Sequence, residues 1–228
     1  ISLINVVDLY KSFNGHKVLR GINLTVKDGQ SMALIGGSGH GKSILLKHII
    51  GLIKPDRGKV LINNQDIGRL RGKLLKQLKE RFGVVFQGGA LFDSLTVFEN
   101  VAFPLREKTR LKDSAISDKV YNELARVRLS GSEDKYPSEI SGGMKKRAAL
   151  ARCLIMNPQL VLFYEPTSGF DPLIGKAIHK LIQDCQKNLN FTSIIVTHEI
   201  PAIFSIVDRV AMLFEGKIIA EGTPDEIQ

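Results

Sequence analysis

Two cysteines, Cys153 and Cys185, are the only thiols in 228 residues. They are too few for a disulfide framework and have no metal-ligand spacing, a usage that fits a reducing compartment. No window holds the roughly 18 uninterrupted apolar residues that a membrane span needs, because the most apolar stretches are broken by Lys47 and His48 or by His198 and Glu199. The expectation is a chain that does not itself cross a bilayer. Its first residues alternate rather than running basic, then apolar, then small, so no secretion signal is expected. Internal repeats, linkers and low-complexity tracts are missing as well. With 43% hydrophobic and 24% charged residues, disorder, collagen and coiled coil are excluded, and a core of ordinary globular size follows.

Positive charge, by contrast, is in excess. Thirty-two Lys and Arg against 23 Asp and Glu leave a formal charge of +9. That surplus favours nucleotides, nucleic acid or an anionic membrane face without choosing among them. In the densest run, Arg69 to Arg81, Leu70, Leu74 and Leu78 recur every four residues between Arg71, Lys73, Lys76 and Lys79. The spacing predicts an amphipathic helix with a basic outer face, either simply solvated or drawn to a membrane surface.

β-branched runs over Ile4–Leu9, Lys17–Val26 and Ser31–Ile35, divided by the turn signals Asn14-Gly15 and Asp28-Gly29, predict three strands. A helix over Ser43–Gly51, a strand near Val60–Ile62 and a short buried strand over Gly83–Phe86 follow. From Gly88 to Asn157 the pattern turns helical, with Ser141 as a cap and breaks expected at Pro104, Pro137 and Pro158. Leu160–Phe163 and Ser193–Thr197 read as apolar strands around a helix near Gly175–Asn188, the rhythm of a parallel sheet. A hairpin of Arg209–Leu213 and Lys217–Ala220 turns at Glu215-Gly216.

Between the third strand and the first helix stands Gly36-Gly37-Ser38-Gly39-His40-Gly41-Lys42-Ser43, which fits the phosphate-loop pattern GxxxxGK[ST] in the context its mechanism needs. Glycines let backbone N–H groups turn inward around a β-phosphate, and the helix N-terminus adds positive potential. Lys42 bridges β- and γ-phosphates, and the Ser43 hydroxyl suits Mg²⁺. His40 either adds charge near the phosphates or is a solvated spacer.

Further segments occur in a fixed order: Gln87; Ser141-Gly142-Gly143-Met144-Lys145; Leu160-Val161-Leu162-Phe163-Tyr164-Glu165-Pro166; Ser168-Gly169-Phe170-Asp171; and His198 after a strand. With the phosphate loop, they make the chain resemble, over essentially its whole length, the nucleotide-binding subunit of an ATP-binding cassette (ABC) transporter. The resemblance implies an α/β P-loop NTPase core of residues 1–87 and 159–228 with an N-terminal antiparallel β subdomain, and an inserted helical subdomain over 88–158. It implies ATP and Mg²⁺ as cofactors, with Ser43 and Gln87 at the metal, Glu165 as general base and His198 contacting the γ-phosphate. Ser141, Gly142 and Gly143 would bind the γ-phosphate held by a second copy, and Ser168–Asp171 would cross that dimer interface. Phe13, with Tyr10 as the alternative, would stack on adenine.

Residues Phe86 to Glu107, together with Ser141–Met144, are similar to the ATPases of the maintenance-of-lipid-asymmetry (Mla) phospholipid transport systems. The implied partners are a transmembrane permease, a second ATPase copy and a periplasmic or membrane-anchored lipid-binding component, with the chain peripheral on the cytoplasmic face of the inner membrane. A nucleic-acid partner is not expected, since there is one motif set and no second cassette. No regulatory domain of the sugar-importer kind is expected after the last hairpin.

Two residues depart from the family pattern. Ile44 stands where a hydroxyl residue usually touches the α-phosphate, which costs about one neutral hydrogen bond, on the order of 1 kcal/mol. Tyr164 stands where an aspartate positions Mg²⁺ through water, and a phenol is uncharged at neutral pH. Two readings therefore stand beside each other: an ATPase driving phospholipid or other transport, and an ATP-binding coupling or regulatory subunit that barely turns over.

Overall fold

A computed structural model describes residues 1–228. Two long strands, β1 (Ser2–Phe13) and β2 (His16–Lys27), are joined by the two-residue turn Asn14-Gly15. Both turn residues have positive φ, 49° and 82°, the backbone a tight right-twisted hairpin requires. β3 (Ser31–Ile35) leads through the glycine loop into α1 (Lys42–Ile49), followed by β4 (Arg57–Ile62), β5 (Gln65–Asp66), α2 (Gly72–Lys79) and β6 (Phe82–Val85). Three helices come next: α3 (Val97–Lys108), α4 (Asp113–Arg126) and α5 (Gly142–Leu154). The chain continues with β7 (Leu160–Tyr164), α6 (Pro172–Leu189), β8 (Thr192–Val196), β9 (Arg209–Phe214), β10 (Lys217–Gly222) and a last turn, α7 (Pro224–Ile227). No helix is long and apolar enough to cross a membrane.

The strands form two sheets. One is antiparallel, in the order β2-β1-β4-β5; the other runs β10-β9-β3-β8-β7-β6, parallel except for its terminal β9–β10 hairpin. Every residue of β3 and β8 is buried, as expected of parallel strands covered on both faces. Side chains alternate between two cores. Ala33, Ile35, Val161, Phe163 and Ile195 face the core shared with α3 to α6, whereas Met32, Leu34, Leu160, Leu162 and Ile194 face the core under the antiparallel sheet and α1. The central strands are thus fixed from both sides, and the loops at their C-terminal ends are held in one place.

Three sequence expectations are corrected. Leu74 is 62% exposed, and Leu75 with Leu78 makes the inward contact of α2. The helix starts only after Arg71, whose backbone is extended at φ −141°, so Leu70 packs on the core from outside the helix and does not set the phase of its buried face. Pro104 does not break a helix; it lies inside α3. Burial of Val101, Ala102 and Leu105 holds the helix through it, and at its start the Asn100 amide donates to the carbonyls of Phe92, Leu95 and Thr96. Finally, β1 runs four residues past Leu9, because pairing with β2 continues to Phe13, and with β4 to Tyr10, despite the polar residues at its end.

Candidate functional site

The ends of β3, β7 and β8 surround a cavity of about 550 Å³. Its floor is the glycine loop. Gly36 has φ +145°, and an added Cβ would lie 2.1 Å from the Leu213 carbonyl oxygen, so the loop passes where only glycine fits. Gly41, at φ +105°, starts α1. Lys42 is buried and curls over its own loop, its ammonium donating to the carbonyls of Gly36 at 2.6 Å and Gly37 at 2.8 Å. Desolvation pushes its pKa down, and the negative charge of Glu165 opposes that shift.

β7 delivers two consecutive side chains to the opposite wall. Tyr164 reaches Ser43, the two hydroxyl oxygens lying 2.9 Å apart. Glu165 sits in the left-handed region at φ 47°, a strain of about 1–3 kcal/mol for a non-glycine residue, held there by its N–H donating to Val196 O at 2.8 Å. The twist turns its carboxylate toward His198, whose Nδ1 lies 2.8 Å from Oε1, while Oε2 is buried without a partner. A second tie lies behind this pair. Thr167 Oγ1 donates to Glu199 Oε2 at 2.5 Å and lies 3.1 Å from Nε2 of buried His179, whose pKa burial pushes down. The loops after β7 and β8 are therefore fastened to each other twice.

Gln87 lines the cavity from the end of β6, its Nε2 donating to Ser168 Oγ at 3.3 Å. Its backbone is held by buried Lys146 of α5, whose ammonium donates to the Gln87 and Phe86 carbonyls and whose pKa burial pushes down to about 8.

Of the residues expected from sequence, Ser38, Gly39, Gly41, Lys42, Ser43, Ile44, Gln87, Glu165 and His198 line this cavity. Phe13 does not: its ring is 42% exposed and lies under the Lys11 ammonium at 5.3 Å. Tyr10 does not either, since Arg57 stacks on its ring at 5.3 Å. His40 is half-buried and does not line the cavity. It covers Gly37 and meets the Phe214 ring edge-on at 4.8 Å. Ser141, Gly142 and Gly143 lie elsewhere, at the start of α5, where Ser141 Oγ accepts from the Met144 N–H at 3.3 Å. Sequence reasoning missed Val18, Lys146, Thr167 and His179. These reach the site through strand pairing and helix packing, and no local motif marks them.

Chemically, the cavity joins a glycine loop, a helix N-terminus and an ammonium to a carboxylate with one free oxygen, the equipment for holding a polyphosphate and polarising a water beside it. It suits Mg²⁺ poorly. Mg²⁺ is bound through one or two carboxylates plus phosphates, and the single lining carboxylate, Glu165, has one oxygen held by His198 and only the other free. No group of three or more His, Cys, Asp or Glu side chains gathers anywhere in the chain.

The family model for ABC transporters matches residues 19–168. The chain belongs to the ABC transporter family. It is 44% identical over 224 residues to a probable ribonucleotide transport ATP-binding protein of Mycobacterium tuberculosis, covering 98% of this chain and 62% of that protein. The chain therefore spans less than two thirds of that relative's length. It is 41% identical over 226 residues to the ATP-binding protein MlaF of an intermembrane phospholipid transport system in Haemophilus influenzae, covering 99% of this chain and 86% of that one. Among solved structures, CbiO1 of Clostridium perfringens, part of an ABC transporter complex, superposes with a TM-score of 0.93 at 35% identity, covering 99% of this chain and 90% of that one. A dimeric ATP-binding cassette in a post-hydrolysis state with ADP and Pi superposes with a TM-score of 0.86 at 29% identity, covering 97% and 98%. The antiparallel sheet, the parallel sheet and the helices α3 to α6 are thus the ABC ATPase fold.

Proposed function

We propose that this ABC chain is the ATP-hydrolysing subunit of a transporter that moves phospholipid through a membrane partner. The observation that carries the ATPase reading is the cavity itself, where Lys42 of the phosphate loop and the Glu165–His198 pair face one space. Loop amides and Lys42 hold the phosphates. Glu165, steadied by His198 on one oxygen, uses the other to take a proton from the water that attacks the terminal phosphorus as its bond to the β–γ bridging oxygen breaks, leaving ADP and phosphate. On binding, Lys42 exchanges the Gly36 and Gly37 carbonyls for phosphate oxygens. Lys42→Ala then weakens ATP binding by roughly 2–5 kcal/mol, about thirtyfold or more. An unchanged Kd in a calorimetric titration would contradict the phosphate-loop reading.

The names of the relatives give different cargo, ribonucleotide for one and phospholipid for the other. Phospholipid is supported by the Mla-like stretch Phe86–Glu107 and by the fuller overlap, 86% against 62% of the relative's length. A groove of about 350 Å³ beside that stretch, with Phe92, Phe103 and Pro104 on one wall and Ala149 and Met156 on the other, suits a short apolar helix of a membrane permease. The chain would then sit peripherally on the cytoplasmic face of the membrane, with any lipid-binding component on the other side. Affinity purification from membranes, with identification of the co-purifying subunits and lipids, tests this. A complex without phospholipid would reject the cargo. A second reading, a coupling subunit with little turnover, is favoured by the Ser43–Tyr164 hydrogen bond. Phosphate release by the purified complex separates the two.

A further inference from the structure

The pocket is furnished for anions far better than for cations. Its lining carries one ammonium, one imidazole and one carboxylate: Lys42, His198 and Glu165. That carboxylate already serves both, with Oε1 2.8 Å from His198 Nδ1 and its negative charge supporting that of Lys42. The Ser43 hydroxyl, the neutral oxygen expected at a metal, is hydrogen-bonded to the Tyr164 phenol at 2.9 Å. Two hydroxyls sharing one hydrogen bond use one proton between them, so whichever donates, the other hydrogen remains for a third partner. A carboxylate at position 164 would accept hydrogen bonds from the water shell of a cation. The hydroxyl pair instead presents a donor, which an anionic oxygen satisfies directly.

We infer that this pocket binds the polyphosphate of a nucleotide without needing a divalent cation, with Lys42 supplying the positive charge and the Ser43–Tyr164 hydroxyl pair a hydrogen-bond donor. The inference rests on reading the pocket as a nucleotide site and deepens that reading. Losing an outer partner of a metal typically lowers its affinity about 10- to 100-fold. Chelating the metal therefore removes little from binding here.

The test uses the full chain and ATP itself, titrated by calorimetry in excess Mg²⁺ and again in excess EDTA, with the melting temperature recorded in both buffers. The expected result is a Kd that differs by less than about tenfold between the two buffers, whereas Tyr164→Asp makes binding at least about tenfold weaker in EDTA. Should the Asp variant fail to fold, Tyr164→Phe deletes only the phenol oxygen. It should weaken binding in EDTA more than in Mg²⁺, because it removes a donor and frees Ser43. Equal effects of Tyr164→Phe in the two buffers would overturn the inference. So would a Kd of the unaltered chain that rises tenfold or more in EDTA; tight binding in Mg²⁺ would then leave the nucleotide reading standing. A folded chain that binds ATP in neither buffer would remove the nucleotide reading and this inference with it.

Discussion

At the scale of single residues, two side chains govern how the site works. Tyr164 is placed to hold Ser43 rather than a hydrated metal, so binding should survive better than turnover. We expect slow hydrolysis that needs high Mg²⁺, and a rate at least about tenfold higher for Tyr164→Asp. The comparison is made in phosphate-release assays at equal Mg²⁺ with the membrane partner present, and a rate the Asp variant does not exceed would refute the argument. Lys146 makes a different prediction. Burial lowers its pKa from 10.5 to about 8, so between about pH 8 and pH 10.5 the unfolded chain keeps a proton that the folded chain has released. Stability then rises with pH across that window and is lost as pH falls through 8, with an upper bound of roughly 3 kcal/mol. Lys146→Met removes the group and should flatten that part of the profile in denaturant titrations. Neither residue stood equal in the sequence. Tyr164 announced itself as a break in a contiguous motif, whereas Lys146 acquires its role only because α5 lies against the end of β6.

At the scale of elements, the sequence was readable wherever the decisive interactions are local. Asn14-Gly15 and Glu215-Gly216 turn as expected because both residues of each pair adopt the positive φ that such turns demand. The buried strands β3, β7 and β8 were equally plain from continuous apolar runs. What failed was what packing decides: the phase of α2, which depends on where the helix begins, and the survival of α3 through Pro104. The same holds for the groove beside α3. In sequence Leu91, Phe92 and Phe98 read as exposed apolar residues of a docking surface; Phe92 is exposed, at 44%, but Leu91 and Phe98 are half-buried and packed against the core, and the second exposed ring is Phe103, at 37%. The Phe92 and Phe103 rings lie 4.9 Å apart, and Arg152, anchored on the Gly89 and Ala90 carbonyls, stacks on Phe92 at 5.7 Å. Phe92→Asp should therefore release the membrane subunit in co-purification while leaving the melting temperature of the chain nearly unchanged, as an exposed substitution does. A large drop in melting temperature would assign the ring to the core instead.

At the scale of the whole molecule, one group of the expected nucleotide contacts stands apart from the cavity. The phosphate loop, Glu165 and His198 converge, but Ser141, Gly142 and Gly143 begin a helix outside that cavity. They can meet a nucleotide only if another copy brings one. Their surroundings suit such a meeting. Gly142 leaves no room for a Cβ, which would stand 2.9 Å from the Phe170 ring, and Gly143 lies beside Ile174. Next to them, Leu173 and Ile174 stay 79% and 39% exposed, an apolar surface the single chain leaves uncovered. The solved dimeric cassette with ADP and Pi is a precedent at 29% identity. Ser141→Arg places a long cation where the second copy would approach, so it should still bind ATP weakly as a monomer and fail to form the ATP-dependent dimer. The substitution also removes a helix cap, since Ser141 Oγ accepts from the Met144 N–H, at a cost of about 0.5–2 kcal/mol. Ser141→Ala supplies the control, because it loses the cap without adding bulk or charge. Sedimentation with ATP should show dimer for the unaltered chain and for Ser141→Ala, and monomer for Ser141→Arg with a melting temperature close to that of the Ala variant. A Ser141→Arg chain that dimerises normally would leave each nucleotide to a single chain. Equal loss of dimer in both variants would trace the effect to the hydroxyl that both lack, as cap or as phosphate contact, rather than to the added cation.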